Sequence, residues 1–306
     1  MNLQHEITAY LHYSQYQKKL NAKTIKAYSI DLAQFEHYFN TRSESNITKS
    51  TISEYIIGLH QSYLPQTVKR KLASLRAFLN HLEFEEILET NPIRKIKTKF
   101  QEPKALPKTI PLSIIKNLLA AAYQDKELAT TEHRAFVALR NVAVIEMLFA
   151  TGMRISELCS LKNENVNLDD GTVLIMGKGS KERIIQIVNG NVLAVLRQYA
   201  NSDISHIRQS RYFFINRFGS RLSEQSVRFV LAKLKKEAGV SLHITPHMFR
   251  HSFATLLLEE DVDIRYIQQM LGHSSIKTTQ IYAQVTTKKQ RQILTAKHPR
   301  SKIYVE

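Results

Sequence analysis

The chain has 306 residues, 43% hydrophobic and 23% charged, with a formal net charge of +16 and a pI near 9.8. Its length supports two domains with sizeable cores, and its basic balance points to a polyanionic partner, most simply nucleic acid. A single cysteine, Cys159, excludes an internal disulfide and any multi-cysteine metal site, and neither a signal peptide nor an apolar run of about 18 residues is present, so a cytoplasmic location without a membrane partner is expected.

The first part reads as helices. From Thr24, the residues Ile25, Tyr28, Leu32, Phe35 and Phe39 recur at steps of three and four, the spacing of an amphipathic helix. Another helix follows Pro65, a residue suited to a helix start, with Val68, Leu72, Leu75, Leu79 and Leu82 as its buried stripe. Lys69, Arg70, Lys71 and Arg76 lie largely off that stripe, which suits either a solvated face or a row of phosphate contacts. Weaker helical patterns near Glu6 to Lys18 and Ser50 to Ser62 complete a helical domain of about four elements, expected over residues 1–94. Asn91-Pro92 is expected to stop its last helix. Residues 95–111 read as a linker in which Lys104, Lys108 and other lysines alternate with Pro103, Pro107 and Pro111. Proline limits its conformations, and the lysines suit a path along a phosphate backbone.

The second domain is expected over residues 112–306. It opens with a helix from Leu112 to about Ala122, a polar stretch from Gln124 to His133, and an apolar helix from Phe136 to Ala150 that Thr151-Gly152 breaks. Arg154 to Leu158 starts the next helix. Asp169-Asp170-Gly171 turns Val166–Leu168 into the β-rich Thr172–Met176, and Gly177 to Lys181 turns that into Arg183–Ile187. Helices resume near Asn191, with the brief apolar run Tyr212–Ile215 between them. From Ser223 the pattern is helical, with Gly239 and Gly272 as stops. The fold class is therefore mainly α with a small antiparallel β-sheet.

The chemistry concentrates between Thr245 and Val285. His247 and His251 are four apart and share a helix face, but Met248 stands where a zinc-binding H-E-x-x-H pair needs glutamate. His247 and Arg250 then face one site together, with His251 in a packing role. Arg250 lies on an apolar helix, where a guanidinium needs either a carboxylate such as Glu157 or an anionic ligand. Arg154, just after a glycine break, raises the same question. Two arginine forks match the oxygens of a phosphodiester. Taken alone, Lys178 is a turn lysine and Tyr282 is one tyrosine among 13.

Together, Arg154, Lys178, His247-x-x-Arg250, His273 and Tyr282 resemble the catalytic signature of the tyrosine recombinases (the phage-integrase family), in particular the Xer branch. The flanking words carry the likeness: ATGMRISEL, GKGSKER, HMFRHSFAT, LGHSS and TTQIYAQV, with spacings of 3, 23 and 9 residues along the last four site residues. The resemblance implies a two-domain C-shaped clamp, a helical core-binding domain plus an α+β catalytic domain, closed around double-stranded DNA. Tyr282 would attack a DNA phosphate to give a 3′-phosphotyrosine link. Arg154 and Arg250 would clamp the non-bridging oxygens, Lys178 would protonate the leaving 5′ oxygen, His247 would act on the tyrosine proton, and His273 would bond the phosphate. Glu157 would orient the arginine site. No metal, nucleotide or other cofactor is implied.

A tetramer on two DNA sites is implied, passing through a Holliday junction, either of one protein or with a second recombinase, with the segment after Tyr282 docked on a neighbour. Ala283-Gln284 follows Tyr282 where Thr-His is commoner, and the stretch 124–140 is longer than in compact Xer proteins. Chromosome or plasmid dimer resolution and mobile-element integration or excision both fit. The chain starts at the core-binding domain, which predicts a simple target site. The rival expectations are a type IB topoisomerase that relaxes DNA and a non-catalytic DNA-binding regulator.

Overall fold

The computed structural model describes residues 2–41, 47–98, 108–177, 182–202 and 210–272. The chain divides into two units, Met1–Lys104 and Ala105–Glu306.

In the first unit four helices follow one another: α1 (Leu3–Tyr16), α2 (Ala22–Thr41), α3 (Lys49–Ser62) and α4 (Pro65–Phe84). Each start has a local cause, for α2 the Asn21 side chain, which accepts from the Thr24 N–H at 2.9 Å. The Asn2 side chain accepts from the His5 N–H, Thr48 and Thr51 form a reciprocal capping box, and Pro65 occupies the first turn of α4. The apolar stripe of α4 is buried as expected, and with Leu32, Phe35, Ile52 and Phe78 it forms the core of this unit.

Two details depart from expectation. Helix α4 ends at Phe84, before Asn91-Pro92, because Glu86 takes a left-handed conformation and the Ile87 and Leu88 amides return to the Leu82 carbonyl. Asn91 instead caps a short 3-10 turn, Pro92–Lys95. Lys71 also leaves the solvated row: at 3% exposure it is buried, with its ammonium 3.2 Å from Asp31 Oδ1 and over the Tyr63 ring. Asp31 is itself buried and also binds Arg70 and Ser74. A buried ammonium requires such a partner.

In the second unit, α5 (Leu112–Glu127) runs beyond Ala122, so much of the expected polar stretch is helical. Ile110 is buried and bonded to Ser252, so the end of the compositional linker belongs to this unit's core. Helix α6 (Glu132–Thr151) is the spine. It is apolar on nearly all sides and packs against α5, α8 (Gly190–Ala200) and α10 (Pro246–Glu259). A short helix, α7 (Ile155–Ser160), leads into an antiparallel sheet in the order β1 (Val166–Asn167), β2 (Thr172–Met176), β3 (Glu182–Gln186). Its register pairs Val173 with Ile185 and Ile175 with Arg183. Side chains alternate between faces, so Val173, Ile175 and Ile185 enter the core. Helices α9 (Glu224–Glu237) and α11 (Ile264–Leu271) complete the described part, and Gly239 and Gly272 follow them with positive φ.

Candidate active site

Three segments of the second unit meet around Arg250. The first is the α6–α7 junction. Gly152 ends α6 in the left-handed conformation, φ +58°, and a Cβ there would come within 2.7 Å of Phe253 Cδ1. Only glycine fits. The second segment is the first turns of α10, which carry His247 and Arg250. The third is the end of α11, where Gly272 also has a left-handed φ of +63°.

Arg250 is 4% exposed. Its Nη1 donates to the Gly152 carbonyl at 2.9 Å and its Nη2 to the Leu271 carbonyl at 2.6 Å. Burying a guanidinium is costly unless its donors are met. Here backbone carbonyls from the other two segments meet two of them. The carboxylate suggested by sequence, Glu157, is elsewhere. Both carbonyls are neutral, so they fix the fork without cancelling its charge.

Glu157 binds Arg154 and Arg183. The Arg154 backbone N–H donates to Oε2 at 2.8 Å and its Nη1 to Oε1 at 2.7 Å. Arg183 donates from Nη2 to Oε2 at 2.7 Å and from Nη1 to Oε1 at 3.1 Å. Burial alone would raise the Glu157 carboxyl. The Arg183 bonds, the Arg154 bonds and the attendant positive charge outweigh it and hold the group below the usual carboxylate range. The Arg154 side chain keeps 35% exposure, so its fork is oriented yet reachable.

His247 sits in the first helical turn after Pro246, exposed by surface area. Its imidazole still loses enough water that desolvation lowers its pKa from 6.5, and Arg250, Arg154 and Arg228 lower it further while Glu224 opposes them. His251 is half-buried and shifted the same way by burial, His247 and Arg250. Beside His247 a cleft of about 710 Å³ is lined by Arg228, Lys235, Lys236 and His243 among others. Among the described residues, no group of three His, Cys, Asp or Glu is placed to hold a metal, and no helix is long and apolar enough to cross a membrane.

The structure thus brings together Arg154, His247 and Arg250. Lys178, His273, Tyr282 and Lys104 lie outside the described residues. Lys178 belongs to the connection between Met176 and Glu182, which pair across the sheet, and His273 directly follows Gly272. Of the remaining cations named from sequence, Lys69 and Lys108 are exposed. Arg70 is partly drawn to Asp31 and Arg76 donates to Thr98. Sequence reasoning missed Arg183. The signal was present: in Arg183-Ile184-Ile185-Gln186-Ile187 the period of two puts Arg183 on the same inward face as Ile185 and Ile187.

Comparison with known proteins covers nearly the whole chain. The model described as "Phage integrase family" matches residues 116–289, and the model described as "Phage integrase, N-terminal SAM-like domain" matches residues 7–86. A protein of Agathobacter rectalis called tyrosine recombinase is 51% identical over 299 residues, 98% of each chain. The tyrosine recombinase XerC of Bacillus pumilus is 32% identical, again over 98% of each chain. Among solved structures, the fold is similar to that of a XerH site-specific recombinase bound to a palindromic difH substrate in a post-cleavage complex. That likeness has a TM-score of 0.74 and 23% identity, covering 89% of this chain and 79% of the other.

Proposed function

Because the chain belongs to the phage integrase family, as a tyrosine recombinase that cuts and rejoins DNA at specific sites, we propose that Tyr282 is its nucleophile and that Arg154, Lys178, His247, Arg250 and His273 complete the site. The observation that carries this reading is the convergence on Arg250. Its fork is anchored two residues before Arg154 and directly before the turn that leads to His273, with His247 one helical turn away.

In the forward step, Tyr282 Oη forms a bond to a DNA phosphorus, and the bond from phosphorus to the 5′ oxygen breaks. A free tyrosine with a pKa near 10 is a weak nucleophile at neutral pH. His247, kept neutral by burial and the arginine charges, accepts the phenol proton. Arg154 and Arg250 hold the non-bridging oxygens, where charge accumulates in the transition state. Lys178 gives a proton to the departing 5′ oxygen, and His273 bonds the phosphate. The product is a 3′-phosphotyrosine link and a free 5′-hydroxyl. The phosphodiester energy is retained in that link, so attack by another 5′-hydroxyl rejoins strands without ATP.

The substrate is double-stranded DNA, gripped largely through phosphate contacts by a chain of net charge +16. Strand exchange between two duplexes proceeds through a Holliday junction in a tetramer, of this chain alone or with a second recombinase, in the cytoplasm. The same exchange serves chromosome or plasmid dimer resolution and mobile-element integration or excision. A nicked duplex carrying the target site tests the chemistry, since the nick lets the 5′ fragment diffuse away and traps the adduct. Wild-type protein gives a band of protein bound to DNA on a denaturing gel, and Tyr282→Phe gives none. An adduct that persists in Tyr282→Phe refutes the assignment, and relaxation of supercoiled DNA without recombinant product favours a topoisomerase.

A further inference from the structure

Arg183 lies at the third strand's inward face, directly across from Ile175 and two residues before the buried Ile185. A strand position of that kind ordinarily takes an apolar residue. Its side chain, 8% exposed, is instead engaged through all three guanidinium nitrogens with two parts of the site. Nη1 and Nη2 grip the two oxygens of Glu157 at 3.1 and 2.7 Å, and Nε donates to the Met270 carbonyl at 2.8 Å.

Each end of this tie matters. Glu157 receives four donors, two from Arg154 and two from Arg183, which occupies both lone-pair directions of each oxygen. While Arg183 holds its share, Arg154 keeps a single side-chain bond to the carboxylate, and its side chain stays 35% exposed. Without Arg183 the carboxylate is released to close bidentately on Arg154 and draw its fork inward. At the other end, Met270 and Leu271 are consecutive residues at the close of α11. Their carbonyls are bound by Arg183 and Arg250 respectively, where a helix end leaves its carbonyls without intrahelical partners. The packing is close: a Cβ at Gly272 would stand 3.0 Å from Arg183 Cδ and 3.1 Å from Nη1.

We infer that Arg183 is a positioning residue for strand cleavage, sharing Glu157 with Arg154 and pinning the end of α11 on which Arg250 is also anchored. It touches no substrate and acts through those two arginines. This rests on the proposed reading that Arg154 and Arg250 hold the scissile phosphate. Its strand also bounds the Met176–Glu182 connection that carries Lys178. Arginine is required because one planar fork serves a carboxylate and a carbonyl together, which a lysine ammonium does not reproduce.

The test compares wild type, Arg183→Gln and Arg183→Lys on the nicked duplex at saturating protein, so that the single-turnover rate of adduct formation is read apart from DNA affinity. Affinity and thermal unfolding are measured alongside. A displaced fork misplaces the reacting phosphate, so Arg183→Gln is expected to cleave about 100-fold more slowly while still binding DNA. Arg183→Lys keeps the charge near Glu157 and is expected to recover roughly tenfold over the glutamine variant. Where Arg183→Gln is unfolded at the assay temperature, Arg183→Lys carries the test, cleaving about tenfold below wild type.

A folded Arg183→Gln or Arg183→Lys protein that cleaves at the wild-type rate overturns the inference. So does a rate loss that raising the protein concentration restores, because that is a loss of binding. Arg154→Ala run in parallel separates the two claims. If Arg154→Ala is inert and the Arg183 variants are normal, the inference alone falls. If Arg154→Ala cleaves normally, the reading of the site falls with it.

Discussion

His247 is suited to accept a proton because its surroundings disfavour its charged form. Desolvation comes first, and the Arg250 and Arg154 charges add to it. In the folded protein its pKa lies below 6.5, so between the two values the unfolded chain binds the proton more readily. Its stability contribution is therefore complete above the ordinary histidine value and is lost as pH falls through the lowered one. A titration of the imidazole by NMR in DNA-free protein should give a midpoint below 6.5, moving upward in Arg154→Ala. A midpoint at or above 6.5 would remove the electrostatic basis for its proposed role as a base. At this scale Arg154, His247 and Arg250 stood out as candidates because each lies in a distinctive word, and His247 and Arg250 also at a fixed spacing. The partners of Arg250 were not, since they are backbone carbonyls from residues 98 and 21 positions away, and backbone acceptors leave no mark in sequence. Arg183 was read only as the first residue of the returning strand, although the period of two through Ile185 and Ile187 already placed it on the inward face.

Among the elements, α6 and α4 were the most legible, because long apolar stripes and a helix-stopping glycine or starting proline mark them. Their ends and neighbours were less so. The composition of Gln124–Glu127 looks like a loop, yet tertiary packing of α5 carries the helix through it. The charge of Lys71 suggested solvent, but a buried position on α4 faces Asp31 of α2. That pairing makes a sharp prediction about the first unit. Asp31→Ala leaves the Lys71 ammonium buried without its carboxylate and should destabilise the protein by about 3–5 kcal/mol in a denaturant titration. Replacing both, Asp31→Ala with Lys71→Met, should recover much of that loss, because the charge that needed compensation is gone. A single Asp31→Ala change that leaves the unfolding midpoint untouched would show that the buried pair does not hold α2 to α4.

For the molecule as a whole, the division into two units, Met1–Lys104 and Ala105–Glu306, follows from two separate apolar cores joined through a stretch rich in lysine and proline. The two family models fall one in each unit, over residues 7–86 and 116–289. In the proposed reading the basic charge draws DNA to the protein, and the arginine–histidine cluster of the second unit holds the phosphate that one nucleophile attacks. The central claim is that this nucleophile is Tyr282. The most direct measurement is to trap the covalent complex on nicked DNA, digest it with nuclease and protease, and locate the nucleotide-bearing residue by mass spectrometry. The expected product is a peptide spanning Thr278–Lys288 with the nucleotide on Tyr282. The same modification on any other residue, or a trapped complex with no modified tyrosine, would contradict it.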